Sequence, residues 1–433
     1  MYSDLTSVFL NNLRALRFYV KNVEKNIETS ILQQPTDGVA LSGMLMHLAM
    51  RMKKNNIDMS QISFSNEIPI DVVDLVKKTI LDITNQIQEK DVDGKKVYQY
   101  VHVSKDIKKE YQKYEIAERQ EEILYSGSLM LLITYFENLV AGVLKKDFIK
   151  HPQRVSLDTK SVSYKMLLEF ENVDTIKNYL IEQEVINKMY DSLEEWKKFF
   201  QKQLKLELLS WDKSFQKLQE VMARRNLFVH NNGIINNIYI NLVKDSASDK
   251  IGKYVGVDKD YIDSAIDLIE YNGISLVIEA WIKEYANNDA EVNGITNMIY
   301  DEYLMTERWE MAKQLYEICL KSNKLCNADR ILCQINRWQC YKWLGEYDKV
   351  KQEVDSMDLS ALKTIYILGI FALKEKYDEF FNLYDSQDEI GIDELKEWPL
   401  FIGLRESEQY RKRFLKDEIE YIDNSSTEEV ANN

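Results

Sequence analysis

The stretch Val221-Met-Ala-Arg-Arg-Asn-Leu-Phe-Val-His-Asn-Asn-Gly233 decides how the chain is read. Upstream of it Trp211, Phe215, Leu218, Met222 and Val229 recur in steps of four, three, four and seven, the spacing of an apolar helical seam. Filling the gap of seven places Arg225 on that seam, where a cation requires a partner or a cleft. Asn226 and His230 stand four residues apart and therefore one helical turn from each other. Asn232-Gly233 is a helix stop. One reading pairs Arg225 with a carboxylate and leaves His230 as a cation favoured by the helix C-terminus. The other is a polar cluster built for chemistry. The first is the commoner fate of an Arg and a His at this spacing. Arg225 on the seam, Asn226 directly after it and the His-Asn-Asn-Gly closure favour the second.

The rest of the chain is patterned in the same way. Leu5, Val8, Phe9, Leu13, Leu16, Val20, Val23 and Ile27 predict a first amphipathic helix, broken at Gln33–Gly38 with Pro35. Further helices are predicted over Val39–Lys54, Val72–Gln88, Leu124–Lys146, Leu208–Val229 and Tyr261–Tyr285, with one or two more in Tyr164–Lys205. Lys105–Gln120 is charged and reads as an exposed helix or a linker, Pro152–Ser163 as a loop, and the segment from Gly233 to Asp258 as irregular. The β signal of the first third is the Asp93-Gly94 turn with the alternating Val97–Val103. The expected class is all-α, with at most a small β-hairpin near 92-103.

Composition agrees. The 433 residues include only 14 Gly and 4 Pro, and 45% are hydrophobic, which suits helices and excludes collagen-like and turn-rich all-β chains. With 56 Lys plus Arg against 71 Asp plus Glu, the formal net charge is −15, which argues against a general nucleic-acid coat but leaves room for one local site. Four cysteines are too few for a disulfide scaffold and suit a reducing cytosol. Asp4, Arg14 and Arg17 deny the N-terminus a signal-peptide core. The apolar run Leu129–Leu144, with Glu137 inside it, is shorter than the roughly 20 residues of a membrane-spanning helix. No membrane association and a cytoplasmic location are expected.

Trp309, Tyr347 and Tyr377 each head a helical segment, at spacings of 38 and 30 residues, and Leu344–Lys349 has the form of a tetratricopeptide-type corner. Val350 and Phe380 stand where a small residue is usual, so irregular stacked hairpins are expected. Cys319, Cys326, Cys333 and Cys340 recur every seven residues, but Ser322–Asn327 breaks the face and neither a CxxC nor a nearby His accompanies them. They read as packing cysteines. No phosphate-loop, GxGxxG or HExxH pattern occurs, and neither a metal nor a cofactor is expected. His47, His102 and His151 lie in no motif.

Arg225-Asn-Leu-Phe-Val-His230 has the Arg-polar-x3-His form of the HEPN family (higher eukaryotes and prokaryotes nucleotide-binding), and the Val-His-Asn-x-Gly continuation is similar as well. Ser128-Leu-Met-Leu-Leu-Ile-Thr-Tyr-Phe-Glu137 resembles that family's first helix, and Asp258-Lys-Asp-Tyr261 resembles the entry to its closing helix. The resemblance spans roughly 120–285. It implies a HEPN helical bundle at 119-287, flanked by a helical region of unknown role at 1-118, tetratricopeptide-like repeats at 288-416 and an acidic tail at 417-433.

The resemblance also implies a metal-independent endoribonuclease of the toxin or antiphage abortive-infection type, cleaving RNA by attack of a ribose 2′-hydroxyl on its own 3′ phosphate. His230 would carry the proton, Arg225 would meet the growing negative charge, and Asn226 would orient either. Arg224, Asn231 and Glu137 are candidate cleft residues. Arg224 also reads as a solvated charge, and this reading has the edge. Glu137 reads equally as a polar residue at the edge of a helix face. The family's habit implies a homodimer or higher even oligomer, whose two motifs share one groove. A regulatory protein or phage trigger is expected on the C-terminal repeats. The competing readings are a catalytically silent nucleotide- or protein-binding HEPN fold, and an adaptor working through its repeats.

Overall fold

The structure, a computed structural model, describes residues 2–31, 38–55, 57–59, 69–92, 95–100, 103–155, 161–163, 170, 172–244, 250–285, 289–387 and 390–414. The Pro35 break, the Asp93-Gly94 turn, His102, the start of the Tyr164 segment and the acidic tail lie outside these residues. The fold is all-α apart from one hairpin. The chain divides into two compact units. The first comprises Met1–Phe9, Phe136–Phe215 and Leu268–Asn433, and the second Leu10–Tyr135 and Gln216–Asp267.

In order, α1 spans Tyr2–Ile31, α2 Gly38–Asn55 and α3 Ile70–Asn85. Strands β1 (Ile87–Val92) and β2 (Lys95–Tyr100) pair antiparallel with Ile87 opposite Tyr100. The expected third helix thus stops three residues early, and the hairpin starts earlier than the sequence suggested. Helix α4 covers Lys105–Lys150 in 46 unbroken residues. It fuses two segments that the sequence separates, because no proline interrupts it and its charged half carries ion pairs between neighbouring turns, Lys113–Glu110 and Arg119–Glu122. Of the described helices it is the one long and apolar enough to cross a membrane by length and composition, and half of its apolar window is buried. Leu129, Leu132, Ile133, Phe136, Val140 and Val143 are fully enclosed and belong to the protein's core.

After α4 come α5 (Val173–Met189), α6 (Leu193–Lys202), α7 (Leu209–Asn231), α8 (Asn237–Val243) and α9 (Lys259–Glu284). In the first unit α1, α4 and α9 approach so closely that a side chain at Gly273 would meet Phe9 and Leu139 at 2.9 Å. Phe136 and Phe200 pack against Trp211 at ring distances of 5.9 and 6.0 Å. In the second unit Leu45, Met46, Ala49 and Met50 of α2 share a cluster with Ile80, Ile87 and Tyr111. Glu24 accepts hydrogen bonds from Tyr125 Oη (2.9 Å) and Lys259 Nζ (2.8 Å) in the same unit.

The C-terminal helices belong to the first unit and include α10 (Asp289–Ile299), α11 (Trp309–Lys321), α12 (Asn327–Trp343), α13 (Lys351–Asp355), α14 (Thr364–Leu373) and α15 (Tyr377–Tyr384). Three corners repeat one geometry. Glu307, Gly345 and Glu375 adopt φ of 60°, 71° and 57°, each two residues before Trp309, Tyr347 or Tyr377. At each corner the following N–H closes back onto a carbonyl five residues earlier: Arg308 to Tyr303, Glu346 to Tyr341 and Lys376 to Phe371. Two of the three use Glu in a left-handed conformation that favours glycine. Helix α11 ends at Lys321 and α12 begins at Asn327, so the four cysteines do not share one continuous helix. Arg308 also forms a two-pronged ion pair with the buried Glu270 of α9, with contacts of 2.5 and 2.9 Å.

Overfilling the α1–α4–α9 approach tests this packing. Gly273→Leu is expected to cost about 2 kcal/mol, because a side chain forced into a dense core moves its neighbours off their rotamers. The midpoint of urea unfolding measures it, and an unchanged midpoint would contradict the close approach.

Candidate functional site

The motif sits on the last three turns of α7. Three local interactions shape that end of the helix. Asn232 (φ 49°) and Gly233 (φ 73°) turn left-handed, and the Gly233 N–H closes onto the Leu227 carbonyl at 3.0 Å. A side chain at Gly233 would collide with the Tyr254 ring at 2.5 Å, so this position needs glycine for space as well as for φ. The chain then pairs Ile234 with Tyr254 in an antiparallel bridge, and the Val255 N–H reaches the Gly233 carbonyl at 2.8 Å. Asn231, a candidate cleft residue, instead folds its side-chain amide back onto the Ile234 carbonyl.

The segment that reads as irregular contains helix α8. Asn236 caps it, accepting the Tyr239 N–H at 2.9 Å, and Lys244 ends it in the left-handed region. The cap was the available signal. The seven-residue length of the helix hid it, because so short a segment shows no helical periodicity. Ala223 and Leu227 of α7, Ile235, Tyr239 and Val255 form a small buried cluster here.

The seam of α7 differs from the sequence reading. Trp211, Leu218 and Val221 are buried, but Val229 is 48% exposed. Ala223 and Leu227, almost opposite on an ideal helix, are buried instead, so the enclosed face changes sides near residue 222. At ~100° per residue, half-buried Arg225 is followed around the helix by exposed Val229, Asn226 and His230. These four residues form one arc of about 140°. The helix remains regular to Asn231, so His230 is a helical residue and unwinding does not turn it toward Arg225.

Arg224 is held by its surroundings, which differs from its reading as a solvated charge. Its Nε donates to Glu220 Oε1 at 2.7 Å, its Nη1 donates to the Gly256 carbonyl at 2.7 Å, and its guanidinium lies 4.0 Å from the Tyr261 ring centre. Glu220 also accepts from Tyr239 Oη (2.6 Å) and Tyr261 Oη (2.8 Å). Sequence reasoning missed Glu220; its place one turn before Arg224 was the only signal. Burial, then the bond to Glu220, pushes the Tyr239 hydroxyl up to about 12. Glu137 is half-buried on α4 and belongs to the first unit, whereas Arg224, Arg225, Asn226, His230 and Asn231 belong to the second.

On the other side of Arg225, Phe228 and Asn232 line a cavity of about 270 Å³ with Arg119, Ile123 and Ser126 of α4 and with Tyr254. Tyr254 is 46% exposed and meets Phe228 edge-on at 6.0 Å. Glu122, the ion-pair partner of Arg119, shares this wall, and the accessible Tyr254 ring can stack a planar base. Among the described residues no group of three or more His, Cys, Asp or Glu gathers to hold a metal ion. No protein-family model, curated protein or solved structure matches the chain.

Glu220→Ala leaves Arg224 Nε and two tyrosine hydroxyls without their acceptor, and is expected to destabilise the protein by about 2 kcal/mol. The Tyr239 hydrogen bond also has a pH signature. The raised pKa means that its contribution is fully present below about pH 10, the ordinary phenol value, and is lost as pH rises through about 12. The stability difference between wild type and Tyr239→Phe, followed by urea unfolding across that range, should vanish on the same schedule.

Proposed function

We propose that the chain is a metal-independent endoribonuclease of HEPN type, acting as a cytoplasmic toxin or abortive-infection antiphage effector. The supporting observation is the arc of Arg225, Asn226 and His230 on the outer side of α7, beside the cavity of Arg119, Phe228 and Tyr254. In the proposed reaction a ribose 2′-oxygen bonds to the adjacent phosphorus, and the bond from phosphorus to the 5′-oxygen breaks. The products are a 2′,3′-cyclic phosphate and a free 5′-hydroxyl. His230 takes the 2′-hydroxyl proton or returns one to the leaving oxygen. Arg225 holds the equatorial oxygens as their charge grows, and Asn226 orients the phosphate.

The geometry also supports the assembly part of the reading. On one straight helix Arg225 and His230 diverge by about 140°, too far apart to aim at the same phosphorus atom. Val229 stands exposed between them as an apolar contact. A homodimer or higher even oligomer pairing this arc with its own copy buries Val229 and brings the Arg of one chain to the His of another. The C-terminal repeats then serve as the seat of a regulatory protein or trigger.

RNA cleavage by purified protein should fall at least about 100-fold in His230→Ala and in Arg225→Ala, and the exposed His230 should be replaceable with an unfolding midpoint near wild type. Activity should survive EDTA. Mixing the two variants should restore part of it, and solution mass should report a dimer or larger at working concentration. Cleavage by a strictly monomeric protein would refute the composite site. An inert wild type would leave the silent, partner-binding fold as the better reading.

A further inference from the structure

A second cavity, of about 390 Å³, lies within the first unit and shares no residue with the motif. Three segments enclose it: the loop between α6 and α7, the end of α9, and the turn between α11 and α12. Four lysines line it, Lys205 from the first segment, Lys283 from the second, and Lys321 and Lys324 from the third. Among the described residues none of the four side chains has an ion pair or hydrogen bond. Several lysines elsewhere in the same unit are matched, as in Lys197–Asp212, Lys313–Glu310, Lys342–Glu375 and Lys374–Asp355. In a chain with 71 acidic and 56 basic residues, four unmatched cations around one hollow leave a charge that the fold itself does not neutralise.

The acids nearby do not remove that excess. Glu279 is committed to the backbone, accepting the Leu208 N–H at 2.7 Å and the Leu209 N–H at 3.1 Å. Glu207 alone remains to oppose four lysines on the wall. Burial, then the neighbouring Arg154 and, more weakly, Lys324 and Lys205, hold the Lys283 ammonium below its ordinary value, with Asp147 opposing.

The backbone adds an independent sign. Lys205 and Leu208 both adopt left-handed conformations, with φ of 53° and 54°. Backbone strain of this kind collects at binding sites. Leu206, Ile282 and Ile318 provide an apolar wall beside the cations. The volume falls in the range of small-molecule sites, roughly 300–1,000 Å³.

We propose that this cavity binds a nucleoside polyphosphate, its phosphates over Lys205, Lys283, Lys321 and Lys324 and its nucleoside against Leu206, Ile282 and Ile318. A single phosphate uses too few of the cations, and a polynucleotide needs an open track rather than a hollow of this size. The proposal is independent of the ribonuclease reading.

The test uses the full-length protein with His230→Ala, so that bound RNA is not consumed, in low-salt buffer by titration calorimetry. ATP should bind one per chain. AMP should bind at least tenfold more weakly for want of phosphates, and inorganic triphosphate at least tenfold more weakly for want of the apolar contact. Lys283→Gln should weaken ATP at least tenfold, and Lys321→Gln with Lys324→Gln at least a hundredfold. Unfolding midpoints should hold steady or rise, because repulsion is relieved. Lys217→Gln, on the exposed side of α7, should change nothing. Absence of ATP binding at millimolar concentration, or affinity indifferent to the four lysines, would overturn the proposal. Inorganic triphosphate binding as tightly as ATP would remove its nucleoside half. A single-stranded oligonucleotide that binds more tightly than ATP through the same lysines would replace the cavity with a nucleic-acid track.

Discussion

A buried amide fixes the first turns of α7 within the first unit. Asn272 of α9 has no exposed surface, yet each of its polar edges finds a partner. Its backbone carbonyl accepts from Trp211 Nε1 at 3.2 Å, its Oδ1 accepts from Ser214 Oγ at 2.8 Å, and its Nδ2 donates to the Leu268 carbonyl at 2.7 Å. Apolar contacts alone are non-directional and would let two helices roll against each other. A satisfied polar contact in a core has essentially one geometry, and its loss leaves a costly unpaired group. Two turns later in α9, Glu279 fixes the first N–H groups of α7. The first turns of α7 therefore have one azimuth against α9 within the first unit.

The fold class was legible because helix-forming signals agree at every level: few glycines and prolines, long 3.6-residue periodicities, and stops such as Asn232-Gly233. The failures share one cause. Sequence periodicity describes a segment in isolation, and tertiary contacts then choose among the options it leaves. Lys105–Gln120 is too charged for its sparse stripe of Ile107, Tyr111 and Ala117 to stand out, and packing of Tyr111 against α2 makes it helix rather than linker. Val72–Gln88 has helical spacing throughout, but from Ile87 onward pairing with Lys95–Tyr100 prevails. At Asn237–Val243, seven residues are too few to show helical periodicity, and the Asn236 cap with a small apolar cluster formed the helix.

The site was legible as a location and less so as an arrangement. The polar residues of the motif do gather at one helix end, and the left-handed closure is the one that Asn-Gly announces. The choice between the two arginines was not readable. A seam drawn through Trp211, Leu218 and Met222 extends to Arg225 and Val229 only if the enclosed face keeps its direction. It crosses to Ala223 and Leu227 instead, which leaves Val229 outside and brings Arg224 to Glu220 and Tyr261. No local pattern encodes that crossing. It follows from residues such as Ile235 and Val255, which pack against the helix only after the chain has turned at Gly233.

The cysteines have a practical consequence. Cys319, Cys333 and Cys340 are buried where α11 and α12 meet, whereas Cys326 is half-buried at the start of α12 and bonded to Asp329. A hydrogen bond donated to Cys319 and then burial hold the Cys333 thiol in its protonated form, and burial does the same for Cys340. Since the thiolate is the reacting species, neither reacts while the helix pair is closed. The native protein therefore carries a built-in chronometer. Under a thiol-specific reagent, the delay before the inner thiols react times the separation of α11 from α12, without a mutation.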